Sequence, residues 1–330
     1  MPIALEPNLV GKRQDLQDMV YVADVKTTPG LSSIKKGEPI RNMLYDFEVK
    51  SYGTRKAGGV PDGQDVNAFD NQSPKYVMQA RGEVFRRAPM VGFVAQKMSL
   101  AGGVAGTKNL YNEAKADQAK EHARDMEKEL WSNQDSQPDT GLGSKFRGLG
   151  LWTTPSPTLT DTLSIPVPAQ IPSNQVFTGV LANMLEDDVG ALIQAKYENT
   201  GASSDLRGFV TPLVKNKFGF FSRYQANVTA FTSSVFVTTG KLEGNTLFGP
   251  TVDVYKSDWG TFQLFPVLTD FTPSTKWGLF IDMNHPRIRS AGTDMFDDLP
   301  DLGGGPRGLL ESIISILPGD LRSYAKIDAT

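Results

Sequence analysis

The side chains in this chain that could do chemistry fall in three places. "GGVAGTKN" sets Gly102, Gly106, Thr107 and Lys108 in the manner of a phosphate-binding loop. The order is wrong for that task, because the Walker pattern needs Gly-Lys-Ser/Thr, so that the amine reaches phosphate and the next hydroxyl reaches magnesium. It reads instead as a flexible lead into a helix, with Thr107 near the cap. His122 and His285 are the only histidines, one on a charged helix and one in "DMNHPRIR". Two imidazoles this isolated read as ordinary surface or loop residues rather than ligands or general bases. "DMFDDLPDLGGG" gathers Asp294, Asp297, Asp298 and Asp301. It lacks the alternating carboxylates and closing Glu of a calcium-binding EF-hand, so it reads as a solvated acidic loop. No G-x-S-x-G elbow and no H-E-x-x-H helix is present. Zero Cys excludes thiol nucleophiles, thiolate metal sites and disulfides together. The chain is expected to hold no catalytic set, no metal and no cofactor.

Basic residues occur as Arg55-Lys56, Arg86-Arg87 and "KNK" at Lys215 to Lys217. None is interleaved with aromatics for base stacking, so they read as a solvated face or as subunit contacts. The net charge of -3 gives no overall pull towards nucleic acid or an anionic membrane. No apolar run approaches a membrane span, and "MPIALEPNLVGKRQDLQD" lacks the basic and apolar regions of a signal peptide. The expectation is a soluble protein made in a cytoplasm. At 330 residues the chain is long enough for one large domain or two intimate ones, and 32 Gly with 21 Pro point to many turns and extended connections.

The elements that must position these residues follow from periodicity. The first 40 residues read as an arm, with a short helix over "RQDLQDMVYVADV" and an extended run through "TTPGLSSIKKGEP". In "LYDFEVK", Tyr45, Phe47 and Val49 point one way; in "KYVMQARGEV", Tyr76, Met78, Ala80 and Val84 share a face. About two dozen polar, Gly-rich residues join these strands. Such a length fits either a surface loop or a projecting hairpin whose tip packs on another subunit.

"EAKADQAKEHARDMEKELW" belongs to a long helix from Lys108 to Trp131. Ala116, Ala119, Ala123, Met126 and Leu130 form a narrow apolar seam. An acidic row at Glu113, Asp117, Glu121, Asp125 and Glu129 runs beside a basic row at Lys120, Arg124 and Lys128. Such a helix is a strut, glued along one edge and open to water or neighbouring subunits along the other.

Beyond it, a Pro-rich crossing leads to a helical pattern in "VFTGVLANMLEDDVGALIQAKY", which Gly190 leaves open as one helix or two. From Arg207 onward strand signals dominate: "GFVTPLV", "VTAFTSSVFVTT", "TVDVYKSDWGTFQLFPV" and "WGLFIDM", with a hairpin around Asp258 to Gly260. "LLESIISIL" reads as a short apolar helix. The fold class is α+β, without alternating βαβ units.

Taken in order, these elements resemble a family. "TTPGLSSIKKG", "VPDGQDV", "VFRRAPMVGFVAQ", "AKEHARDMEKELWSNQ", "FRGLGLWTT" and "DVYKSDWGTFQLFPV" resemble, in collinear order, the major capsid proteins of tailed bacteriophages with the Hong Kong 97-type fold. More narrowly they resemble the subgroup typified by the major head protein of an elongated-head podophage. Residues 155–245 depart from that pattern.

The resemblance implies an N-terminal arm over 1–40 and an extended hairpin over 41–92. It implies a peripheral domain over 93–150 and 250–290, spined by the long helix, and an axial domain over 151–249. The segment 291–330 is left unplaced. It implies a homo-oligomer of pentamers and hexamers, enclosing DNA without reading its sequence, assembled in the host cytoplasm and residing in the virion. A separate scaffolding protein, a portal and decoration proteins would be the partners. The candidate inter-subunit contacts are Arg55, Lys56, Asp62, Asp65, Arg86, Arg87, Asp117, Lys120, Glu121, Arg124, Asp125 and Lys128. Lys50, Lys56 or Lys75 are the hairpin amines available for a covalent cross-link to a neighbour. Two other functions are weighed against a virion shell: an encapsulin-like compartment enclosing a cargo enzyme, and an enzyme or binding protein using the long loop as a lid. Neighbouring genes separate the first pair, and a polar pocket within one subunit would mark the last.

Overall fold

The computed structural model describes residues 28–52, 58, 62–63, 65, 69–97, 110–201, 205–224, 253–291 and 295–330. The expected arm helix over 13–25, the loop with Gly102, Gly106, Thr107 and Lys108, Arg55, Lys56, and the strand signal over 228–239 lie outside the described residues. The described chain divides into two compact units. One draws on Arg86–His122 and Asp294–Glu311; the other draws on Thr27–Phe85, Ala123–Thr293 and Ser312–Thr330.

In the larger unit a six-stranded mixed sheet carries the core. Its strands are β5 (Val176–Phe177), β6 (Leu206–Val210), β7 (Val254–Ser257), β8 (Gly260–Pro266), β9 (Trp277–Asp282) and β13 (Tyr324–Asp328). They lie in the order β5-β13-β9-β6-β8-β7. β6 runs parallel to β8, and β9 runs antiparallel to both β6 and β13. Side chains alternate across this sheet, as a period of two requires. Leu206, Val210, Phe262, Leu264, Phe280 and Ile327 point to one face, where α5 (Glu186–Thr200) and α6 (Pro212–Tyr224) cover them. Phe209, Leu279, Ile281 and Tyr324 point to the other, against Trp131 at the end of α3 (Leu110–Trp131) and Trp152 of α4 (Leu149–Trp152). Trp131 packs 4.9 Å from Phe209 and 5.5 Å from Trp277, ring centre to ring centre.

The crossing from α3 to α4 needs two glycines. A Cβ at Gly148 would lie 2.2 Å from the Ser132 carbonyl oxygen, and one at Gly150 would lie 2.4 Å from Asn133 Oδ1. The chain therefore folds back over the helix end at van der Waals distance, which no other residue type allows.

β2 (Leu44–Lys50) and β3 (Lys75–Arg81) pair antiparallel from Leu44↔Arg81 to Lys50↔Lys75. Tyr45, Phe47, Val49, Tyr76, Met78 and Ala80 all join the core, as their alternation predicts. Val84 does not share that face; it is exposed, and Phe85 is buried in its place. The register changes at Gly82, where β3 gives way to β4 (Glu83–Arg87). The second sheet also holds β1 (Lys35–Lys36), β10 (Arg287–Ser290), β11 (Met295–Leu299) and β12 (Arg307–Leu317), in the order β1-β10-β12-β11, with β4 pairing β12.

Several expectations change here. "LLESIISIL" is not a helix but most of β12, an eleven-residue strand with alternating burial. Its Ile-Ile-Ser-Ile run is β-branched and finds strand partners on either side. The "TPLV" read as strand opens α6, because Pro212 occupies the first helical position, where its missing N–H costs nothing. "PGLSS" forms α1 (Pro29–Ser33) rather than an extended run. The pattern from Val176 to Tyr197 yields one helix, starting at Glu186. Before it, Leu181 is buried in a 3-10 turn, and Val180 is exposed. The hairpin at Asp258 and Trp259 forms where expected, with Ser257 paired to Gly260.

Candidate functional site

The long helix α3 has the length and the charge rows expected of it, but a different seam. Ala116 and Ala119 are exposed. The buried line is Tyr111, His122, Met126 and Leu130, with half-buried Lys115 and Gln118 between Tyr111 and His122. Spacing by four and three is kept, rotated about the helix, and its members include polar residues that an apolar pattern omits. His122, expected at the surface, is buried.

Glu127 is buried on the same helix, and among the described residues it forms no ion pair. Its carboxylate instead accepts from the backbone N–H groups of Gly30 and Leu31, at 2.7 and 2.8 Å, and from Trp131 Nε1 at 2.7 Å. Burial pushes its pKa up, against the pull of these three donors. The first two donors belong to the opening turn of α1, whose N–H groups have no partner within the helix. The first turn of α1 is thus tied to α3 through this one carboxylate.

In the smaller unit, Lys115 points its ammonium between the rings of Tyr111 and Phe296, 4.4 Å from each centre, and ion-pairs with Asp298. Tyr111 donates its hydroxyl to the same carboxylate at 2.7 Å. Burial and the Asp298 hydrogen bond raise the phenol to about 12, while hydrogen bonds from Lys115 and Tyr111 hold Asp298 below the usual carboxylate range. Asp301 accepts from the N–H groups of Gly303 and Gly305, bonds that lower its pKa as well. The acidic loop is therefore bonded to its own chain. Among the described residues no group of three His, Asp or Glu stands together for a metal, and no helix is long and apolar enough to cross a membrane.

Of the twelve charged candidates, all but Arg55 and Lys56 are among the described residues. Arg86 donates to Glu311 at 2.7 and 2.9 Å, and Arg87 donates to Glu121 at 2.6 Å. Lys128 lies 3.8 Å from Asp270, and the Arg124 guanidinium stands 5.9 Å from the centre of the Phe271 ring. Asp117 and Lys120 are exposed, and Asp125 is half-buried. Asp62 and Asp65 are exposed in the hairpin loop. Of the cross-link amines, Lys75 is exposed and pairs with Glu48 across the ribbon at 3.0 Å.

The more telling surface is apolar, and charge reasoning passed over it. Tyr52 and Phe69, just beyond the paired strands of the ribbon, are 86% and 88% exposed. Met90, Phe93, Val94 and Leu302 in the smaller unit are 57% to 80% exposed. One signal was available in the sequence: four large apolar residues in "PMVGFVA" with no period that would bury them.

A family model described as SU10 major capsid protein matches residues 6–310. No curated protein sequence matches the chain. Among solved structures, a cyanophage A-1(L) capsid subunit superposes with a TM-score of 0.62 at 13% identity, over 98% of this chain and 97% of that one. The capsid subunit of cyanophage P-SCSP1u gives 0.59 at 9%, over 96% and 93%. The capsid subunit of a native GTA particle, computed with C5 symmetry, gives 0.56 at 11%, over 98% and 97%. The fold is that of Hong Kong 97-type phage capsids, α+β as expected.

Proposed function

The chain belongs to the SU10 major capsid protein family, and from that premise we propose how its copies join into a shell. It is a shell-forming major capsid protein of a tailed phage, a virion component with a structural role. Copies join head-to-tail into pentamers and hexamers that enclose double-stranded DNA, by apolar and charged contacts without any catalysed reaction.

The arm (1–40) and the extended hairpin (41–92) lie on neighbouring copies. The peripheral domain (93–150 and 250–290) carries α3 as its spine, and the axial domain (151–249) faces the ring axis. Asp62, Asp65, Asp117, Lys120 and Arg124 contribute contacts between subunits, with Arg86, Arg87, Glu121, Asp125 and Lys128 exchanging partners there. A separate scaffolding protein, a portal and decoration proteins complete the head, built in the host cytoplasm and of the elongated-head podophage subgroup.

The observation that carries this reading is the exposure of Tyr52 and Phe69 at the ends of the ribbon. Two aromatic rings left almost wholly in water on one chain are what a subunit interface buries. Negative-stain microscopy of the purified chain, expressed with and without a scaffold, tests it. Rings of five and six, or closed particles, are expected; a clean monomer in every condition overturns it.

A further inference from the structure

We propose that β1, β10 and the loop from Gly37 to Arg41 form a phosphate-binding edge, where Lys35, Lys36, Arg41, Arg287 and Arg289 meet the backbone of duplex DNA. This rests on the shell reading above and names the surface through which each copy touches the enclosed duplex.

The segments 35–41 and 284–290 carry five cations against one carboxylate, that of Glu38, in a chain whose net charge is -3. They are held together as one surface. Lys35 pairs in register with Arg287, Gly37 N–H donates to the Ile288 carbonyl at 2.7 Å, and Ile40 N–H donates to the Ser290 carbonyl at 3.0 Å. Gly37 lets both arginine stems lie against it. A Cβ there would stand 3.1 Å from Arg287 Cβ and 3.3 Å from Arg289 Cγ.

Among the described residues none of the five ion-pairs with a carboxylate. Arg289 donates to the Glu38 and Pro39 carbonyls at 2.9 and 3.2 Å, and Arg287 to those of Pro286 and Met283 at 2.7 and 3.2 Å. Lys35 donates to the Asn284 side-chain oxygen at 3.4 Å, and Lys35, Lys36 and Arg41 are exposed. Neutral oxygens fix these groups in place and leave their charge for a polyanion.

The phosphates of a duplex fit this edge better than an acidic protein or a single strand. No large apolar side chain of either segment is exposed, so a protein partner would find no anchor. The Arg289 guanidinium covers the Tyr45 ring, 4.3 Å from its centre, and closes it to an unpaired base. From Arg287 to Ser290 the strand runs roughly 10 Å. Duplex DNA carries one charge per about 1.7 Å of axis, so several phosphates face that length.

Fluorescence anisotropy of a labelled duplex, titrated with the full chain at several salt concentrations, tests the contact. If each cation meets one phosphate, the slope of log K on log salt is about -4 to -5. Lys35→Gln with Lys36→Gln and Arg41→Gln should bring it to about -2, with more than about tenfold weaker binding near 0.1 M salt. Lys75→Gln with Lys145→Gln and Lys256→Gln removes three exposed cations elsewhere and should change neither. An unchanged slope in the first variant, or an equal loss in the second, overturns the edge as the site. Affinity that depends on the duplex sequence overturns a backbone contact, and tighter binding of poly-glutamate than of the duplex assigns the edge to an acidic protein instead. The titration needs no particle, so a chain that binds as expected yet never assembles overturns the shell reading rather than the contact.

Discussion

The carboxylate of Glu127 lies 2.7 Å from the backbone nitrogen of Gly30, across 97 residues of sequence. It serves as the N-cap that α1 lacks locally, since Thr28 makes no side-chain cap bond. The fit is close: a Cβ on Gly30 would lie 2.5 Å from Trp131 and 2.9 Å from the carboxylate itself. Glu127→Gln turns one accepting oxygen into a donor that faces donors. A loss of about 1–3 kcal/mol is expected, read as a lower denaturant midpoint with an unchanged slope. An unchanged midpoint removes Glu127 from the account of how α1 is held to α3.

Glu83 gives the stability a pH dependence. It accepts from Gln134 Nε2 at 2.8 Å and from the Phe146 N–H at 3.2 Å, but burial dominates and raises it from 4.5 to about 7. Below about 4.5 both folded and unfolded chains hold the proton, so the group contributes no pH slope. Between 4.5 and about 7 only the folded chain keeps it, and stability falls as pH rises through this window. The drop amounts to roughly 3–4 kcal/mol at 1.36 kcal/mol per unit. Glu83→Gln should flatten the curve of unfolding midpoint against pH there; a slope unchanged in the variant assigns it to other groups.

Arg147 anchors the Pro-rich crossing. Its side chain is 1% exposed, bonds Asp135 through Nε at 2.7 Å and the Leu163 carbonyl through Nη2 at 2.7 Å, and stacks on Trp152. Burial pushes the Asp135 carboxyl up, but the Asp161 N–H, the Arg147 guanidinium and the Thr160 N–H together hold it below its usual range. Removing one partner of a buried pair leaves the other uncompensated, so Arg147→Met is expected to cost about 3–5 kcal/mol by chemical denaturation. A cost below 1 kcal/mol, roughly the surface-pair range, refutes the anchoring role.

Lys115 holds β11 to α3 through two rings and one carboxylate. Lys115→Gln keeps a polar side chain but loses the charge that faces the rings and Asp298. Amide exchange over residues 295–299 should become several-fold faster while the six-stranded sheet stays protected. Equal exchange in both proteins would show that β11 depends on its pairing with β12 alone.

The sequence by itself determined whatever a repeat along the chain can encode. Alternation placed Tyr45, Phe47 and Val49 on one face of a ribbon, and charge rows with good helix formers marked α3 to its end at Trp131. Motif order argued against a phosphate loop at Gly102 to Lys108, which lies outside the described residues, and the collinear stretches carried the resemblance to a capsid family that the family match bears out. Tertiary structure alone decided the rest, because those features depend on partners distant in sequence. A buried Glu127 is invisible until α1 arrives to supply N–H groups. "LLESIISIL" becomes a strand only because β10 and β11 stand ready to pair with it, and a short apolar run has no period strong enough to say so. The cationic edge at Lys35, Arg287 and Arg289 likewise exists only once β1 and β10, far apart in sequence, are laced together. Local pattern sets which elements form, whereas long-range hydrogen bonding and packing set which side chains they bury and which they leave for another molecule.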